Sequence, residues 1–369
     1  MSESTSTPET TVTADIRGRV GCITLNRPKA LNALSLEMIR GITAALLAWR
    51  EDTRVLAVAI RGVNKEGPFG AFCAGGDIRF FHQAALSGNP ELEDFFTEEY
   101  ALNHLIHTYP KPYIAFMDGI CMGGGMGISQ GASLRIATER SKIAMPETGI
   151  GLFPDVGGGY FLSRCPGRLG EYIALTGLVL DGPQALSVGL ADAVMDSGRQ
   201  GGLWESLGTT PYESGEAVER WCLNHVQKAP SRPSFPQADI DRVFALDGVG
   251  AMVAALESQK GAWAQETAAL LRKRSPLMLH VVLEQIRRAR TMSLADELRM
   301  ERDMVRHCFH LRPGSASETV EGIRALAVDK DHAPRWNPAR IEDVKPDQVL
   351  AFFNSPWPAT AHPLRALGT

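Results

Sequence analysis

Glycine crowds into short runs between Gly119 and Gly159, most densely in Met122-Gly123-Gly124-Gly125-Met126-Gly127, and this crowding constrains the chain more than any other feature. Gly accounts for 36 of 369 residues, above the ~7 % of average usage, and the excess is concentrated here. Backbone without side chains turns through left-handed conformations and lets N–H groups approach a ligand or another segment closely. A second run, Phe72-Cys73-Ala74-Gly75-Gly76-Asp77, follows a strand-like stretch. Either run alone reads as a tight turn or a close packing point. Together they offer two backbone donors for one acceptor, one of them strengthened by the N-terminus of the helix-like stretch after Gly123. A carbonyl oxygen that becomes an oxyanion under attack or enolisation, such as that of a thioester, is stabilised by such a pair, each donor contributing about 3 kcal/mol in the transition state.

Acids follow where that chemistry would use them. In Met145-Pro146-Glu147-Thr148-Gly149-Ile150-Gly151-Leu152-Phe153-Pro154-Asp155, Glu147 and Asp155 stand eight residues apart among prolines, glycines and apolar side chains. A lone acid beside a turn is ordinarily exposed, but this setting argues for carboxylates against apolar surface. Desolvation there raises the pKa, and a helix N-terminus lowers it. Periodicity supplies a third acid. Leu92, Phe95, Phe96, Leu102 and Ile106 mark one helical face, and Glu99 falls on it while Glu98 does not. Glu99 is expected to point inward, the alternative being a helix-edge acid that reaches outward.

The element order reads strand, helix, strand: Val20 to Leu25, then Leu36 to Trp49 behind the N-cap Ser35, then Val55 to Ile60. Tyr113 to Phe116 and Leu134 to Ala137 are further strand candidates, and the alternation predicts an α/β core with parallel crossovers. After about Gly201 loop-like stretches appear, including Pro230 to Pro236, and long helical patterns follow. Ser275-Pro276 starts one helix with Leu279, Val282, Leu283 and Ile286 on a face. Ser293 starts another with Leu294, Leu298, Met304 and Val305. The expected organisation is a disordered Ser/Thr-rich tail over 1–12, a core over 13–200 and a mainly helical region over 201–369.

Charge and cysteine usage exclude several function classes. Lys+Arg number 38 against Asp+Glu 42, a net charge of -4, and no block of like charge invites nucleic acid or an anionic membrane. No apolar stretch approaches the ~20 residues of a membrane helix. The six cysteines, Cys22, Cys73, Cys121, Cys165, Cys222 and Cys308, are scattered without a metal-ligand spacing or a disulfide framework. A reducing cytoplasm is the expected location.

Taken in order, these segments resemble the crotonase (enoyl-CoA hydratase/isomerase) superfamily, and within it the 3-hydroxyisobutyryl-CoA hydrolase branch. The resemblance begins at Asn26-Arg27-Pro28-Lys29-Ala30-Leu31-Asn32-Ala33-Leu34 and passes through Ala71 to Asp77, Met122 to Gly127 and Met145 to Gly159. It ends at Gly322-Ile323-Arg324-Ala325 and Asp329-Lys330-Asp331 with Trp336. It implies an α/β fold: a spiral of repeated ββα turns with a mainly helical C-terminal region. It implies an oxyanion hole from the Gly76 and Gly124 N–H groups, and coenzyme A held by the Asn26 to Leu34 turn, through Lys29, Ala30 and Leu31, with Ala74 and Asp77. Hydratases of the superfamily carry two catalytic glutamates, three residues beyond the oxyanion glycine and twenty residues later. Those positions here are Gly127 and Glu147, so one of the pair is missing. Asp155 and Glu99 match the hydrolase branch instead.

The resemblance implies hydrolysis of 3-hydroxyisobutyryl-CoA, an intermediate of valine breakdown. Glu147 would attack the thioester or activate a water, while Asp155 and Glu99 orient the acyl hydroxyl or the attacking group. No metal or redox cofactor is expected, the only partner is the acyl-CoA itself, and a homo-oligomer, trimer or hexamer, is the family's habit. An enoyl-CoA hydratase or isomerase, and a catalytically silent CoA-binding protein, are the alternatives on the same fold. Gly127-Ile128-Ser129-Gln130-Gly131 also matches the G-x-S-x-G elbow of serine hydrolases. That elbow needs a strand running straight into the serine turn. Gly123 to Gly127 already occupies that place, so Ser129 is read as a structural helix residue.

Overall fold

The computed structural model describes residues 10–226 and 235–368. Of the expected tail, residues 1–9 lie outside the described residues and Val12 already opens a strand; of the loop-like Pro230 to Pro236, residues 230–234 lie outside them. The strands are β1 (Val12–Arg17), β2 (Val20–Leu25), β3 (Ala57–Gly62), β4 (Ala71–Cys73), β5 (Tyr113–Met117), β6 (Ile120–Met122), β7 (Leu134–Thr138), β8 (Lys142–Ala144) and β9 (Ala193–Met195).

They form a six-stranded sheet in the order β1-β2-β3-β5-β7-β9 and a three-stranded sheet in the order β4-β6-β8. β1 and β2 pair antiparallel, and every other pairing is parallel. β3, β5 and β7 each belong to the large sheet, and each is followed directly by a strand of the small one. The chain therefore winds through repeated ββα turns, the spiral that the resemblance implies. β2, β3 and β5 are apolar almost throughout because both faces of the large sheet are covered. On one face Phe116, Ile114 and Leu134 pack with Trp204, Leu207, Val218 and Cys222. The opposite face joins a core that reaches from Ile23 to Leu364.

The helices follow the predicted faces. Leu36–Arg50 starts where the Ser35 hydroxyl accepts the Met38 N–H at 3.3 Å. Pro276–Ala289 starts under Ser275, with Leu279, Val282, Leu283 and Ile286 buried. Leu294–His310 starts under Ser293 and lies against the Glu91–His107 helix. Glu93 fastens the two, taking Arg306 and His310 at 2.7 Å each and also the buried Arg302. The C-terminal helices thus fold back on their own chain. Among the described residues no helix is long and apolar enough to cross a membrane.

Candidate active site

The three parallel strands of the small sheet end side by side, and each is followed by a segment singled out from the sequence. β4 leads to Ala74-Gly75-Gly76, β6 to Gly123-Gly124 and β8 to Pro146-Glu147. The carboxyl ends of parallel strands are where α/β sheets ordinarily hold ligands. Gly75 (φ +111) and Gly123 (φ +48) make the reversals that free the chain from the sheet, in conformations that side chains disfavour. A cavity of about 380 Å³ opens there, lined by all of these residues together with Glu99, Asp155, Leu152 and Arg274.

Two amides are oriented by the pattern around them. Leu34 forms a parallel bridge with Gly76, donating to Gly75 O at 2.8 Å and accepting from the Asp77 N–H at 3.0 Å. In such a bridge the N–H of the middle residue points away from the partner strand, so the Gly76 N–H turns from Leu34. Gly124 is the first residue of the Gly124–Gln130 helix, where no intrahelical carbonyl awaits its N–H. The two runs are close: a methyl group built on Gly124 would stand 3.4 Å from the Gly75 carbonyl carbon.

The acids press on the same runs. A methyl on Gly124 would lie 2.6 Å from Glu99 Oε1, and one on Gly123 would lie 2.9 Å from Glu147 Oε1. Glu99, Glu147 and Asp155 are 2 %, 6 % and 5 % exposed, so none is surface decoration. Glu99 Oε1 and Glu147 Oε2 meet no hydrogen-bond partner, whereas Asp155 Oδ2 accepts the Tyr100 hydroxyl at 2.9 Å. Burial, with the charge of Asp155 added, holds Glu147 well above the usual carboxylate range; Glu99 is raised by burial, then by Asp155 and Glu147. Asp155 is pushed up to about 7 by burial, against the Tyr100 hydrogen bond, which lowers it. All three acids are thus shifted toward their protonated forms.

The remaining sequence candidates take different places. Ala74 lines the cavity and its N–H donates to Leu31 O at 3.0 Å. Lys29 and Leu31 are exposed and Ala30 half-buried on a turn in which Leu31 has φ +51. Asp77 caps the Ile78–Ser87 helix and pairs with Arg27 at 2.7 Å. Ser129 is buried within its helix and donates to Gly125 O at 2.8 Å, the structural part expected of it. Gly127 has no room for a side chain, since a methyl there would meet Val156 Cβ at 2.6 Å and Asn103 Nδ2 at 2.8 Å. Sequence reasoning missed Tyr100, Arg274 and the pair Gln285 and Glu301. Glu301 lies one and two turns from Leu298 and Leu294 on the buried stripe of its helix, so the periodicity that found Glu99 would have found it too.

A family model described as enoyl-CoA hydratase/isomerase matches residues 20–353. The 3-hydroxyisobutyryl-CoA hydrolase, mitochondrial, of Xenopus tropicalis is 40% identical over 92% of this chain and 87% of its own length. The rat protein of the same name is 39% identical over 96% and 91%. Among solved structures, a carnitinyl-CoA dehydratase from Mycobacterium thermoresistibile superposes with a TM-score of 0.87 at 37% identity, covering 95% of this chain and 98% of that one. An enoyl-CoA hydratase from Rhodobacter sphaeroides 2.4.1 gives 0.83 at 34%, covering 94% and 98%. The naming of the relatives as mitochondrial enzymes corrects the cytoplasmic expectation and points to mitochondria. Cysteine usage reports only reducing surroundings, which are not peculiar to one compartment. The spiral of ββα turns, the glycine amides at the ends of its small sheet and the span of these matches place the chain in the enoyl-CoA hydratase/isomerase family.

Proposed function

We propose that this chain hydrolyses an acyl-CoA thioester, 3-hydroxyisobutyryl-CoA, to 3-hydroxyisobutyrate and coenzyme A. The observation that carries the reading is the approach of two glycine runs and the unpartnered Glu147 Oε2 to one cavity. The thioester oxygen accepts the Gly76 and Gly124 N–H groups, which stabilise it as negative charge develops. Glu147 then either attacks the carbonyl carbon, giving a mixed anhydride and releasing the CoA thiolate, or takes a proton from a water that attacks in its place. Asp155 and Glu99 hold the β-hydroxyl of the acyl chain. The exposed turn at Lys29, Ala30 and Leu31, with Ala74 and Asp77, receives coenzyme A. The steps draw on the chain and its acyl-CoA, with no metal or redox cofactor, and the homo-oligomer of the family carries over as part of the proposal.

The cramped surroundings of Gly127 support hydrolysis over hydration, because the first of a hydratase's two glutamates, which would stand at this position, has no space there. Catalytic silence is disfavoured by the open cavity and its intact acids. The test is free-thiol release from 3-hydroxyisobutyryl-CoA set beside loss of the crotonyl-CoA double bond. Thiol release should dominate, and Glu147→Gln should reduce it by about 100-fold or more. Unchanged cleavage by that variant would remove Glu147 from the role. In a single turnover in ¹⁸O-water, label in the Glu147 carboxyl marks direct attack followed by water striking the glutamyl carbonyl of the anhydride, because the water route places label in the released acid alone.

A further inference from the structure

Asp155 opens a turn whose backbone is strained. Val156 has φ +59, a left-handed conformation that a β-branched residue keeps only where its surroundings over-determine it. Gly157 follows at φ +87, and the short helix Gly158–Leu162 begins immediately after. What holds the turn arrives from the C-terminal region. Glu301 Oε2 accepts the Gly157 N–H at 2.8 Å and its Oε1 accepts the Gly159 N–H at 3.2 Å. Gln285 closes the loop from the other side, its Nε2 donating to Pro154 O at 2.8 Å and to Glu301 Oε1 at 3.1 Å. The residues directly before and after Asp155-Val156 are thus tied to one buried pair. Glu301 and Gln285 are both 0% exposed.

Such an arrangement is costly as a source of stability. Burial, and then the neighbouring charge of Glu297, work against the ionised form of Glu301. Apolar side chains of similar volume generally serve a core as well or better. The benefit is geometric: a carboxyl group presents two oxygens at once, one to each N–H, and fixes the turn between them.

We propose that Glu301, braced by Gln285, is a positioning residue that holds the strained Val156 turn so that the Asp155 carboxyl meets Tyr100 and faces the cavity. The inference rests on the role given to Asp155 above. It requires that Glu301 act on turnover through Asp155 and by no separate route.

A double-mutant cycle on the full chain tests this, with thiol release as the readout and thermal unfolding as the check on folding. Glu301→Gln keeps the side-chain size but accepts at a single oxygen and turns an NH2 toward the second amide. It should lower kcat by about 10-fold or more and leave KM within about 2-fold. In the Asp155→Asn background the same change should add no further loss. Where Glu301→Gln fails to fold, Gln285→Leu removes the brace and should show the same non-additivity. Losses that multiply would overturn the positioning role alone. Wild-type turnover by Asp155→Asn would overturn both the role of Asp155 and the inference resting on it.

Discussion

Asp155 titrates near neutrality because burial outweighs the Tyr100 hydroxyl, which donates to the carboxyl at 2.9 Å and favours its ionised form. Removing that donor leaves burial unopposed. Tyr100→Phe should therefore move the inflection that Asp155 contributes to the pH profile of kcat/KM upward from about 7. A profile that shifts downward, or stays in place, would show that the hydroxyl does not set the protonation of Asp155. The same pair shows what a sequence can reveal about single residues. Glu99 is legible because a charged residue on an apolar helical stripe contradicts its surroundings. Tyr100, its neighbour, is not. An aromatic on that stripe reads as ordinary core, and its partner lies 55 residues further along the chain. Glu301 reaches Gly157 across 144 residues, and it sits in a helix so rich in charge that the segment reads as a solvated face until the apolar stripe is traced through it.

At the scale of elements, the small sheet decides where the site is. β4, β6 and β8 are three residues each, too short to carry the alternation by which strands are found. The glycine runs behind them are legible, but the approach of the Gly75-Gly76 run to the Gly123-Gly124 run is a property of the parallel order β4-β6-β8. Helix starts fare better, since Ser35, Ser275 and Ser293 announce their caps by residue type alone. Gly124→Ala tests the tolerance of the converging segment. The amide survives the change, but the new methyl would stand 2.6 Å from Glu99 Oε1 and 3.0 Å from Leu34 Cδ1. Displacing Glu99 or the helix start should cost about 100-fold in kcat. Gly250→Ala is the contrast. A methyl there meets open space in the Val249–Glu257 helix, so that variant should keep full activity and gain about 0.5 kcal/mol of stability. Equal activity in the two alanine variants would mean that the cleft at Gly124 is looser than its contacts require.

Across the whole molecule, buried acids are contributed by both parts of the chain and gather around one turn. Glu99, Glu147 and Asp155 come from the strand-rich part, Glu297 and Glu301 from the Leu294–His310 helix, and burial raises all of them, Asp155 and Glu297 to about 7. A carboxyl whose folded pKa lies above its unfolded value binds its proton more tightly in the native state. Its contribution is complete below the unfolded value and is lost as pH rises through the folded one. Opposing groups act elsewhere on the scale. Glu93, whose burial is outweighed by Arg302 and its neighbours, lies below its ordinary range and matters only in acid. His104, His107 and His280, lowered by burial, weaken the fold only as pH falls below their ordinary 6.5. The six buried thiols, raised by burial from their ordinary 9.0, add to the loss only as pH nears that value. Between about pH 6.5 and 7.5 the buried carboxyls are left to set the slope, so Tm should fall across that interval by on the order of a few °C. Asp155→Asn or Glu297→Gln, each deleting one titration, should flatten the decline. A Tm that holds level or climbs over the same interval in the unsubstituted protein would mean that these acids are not protonated together in the native state.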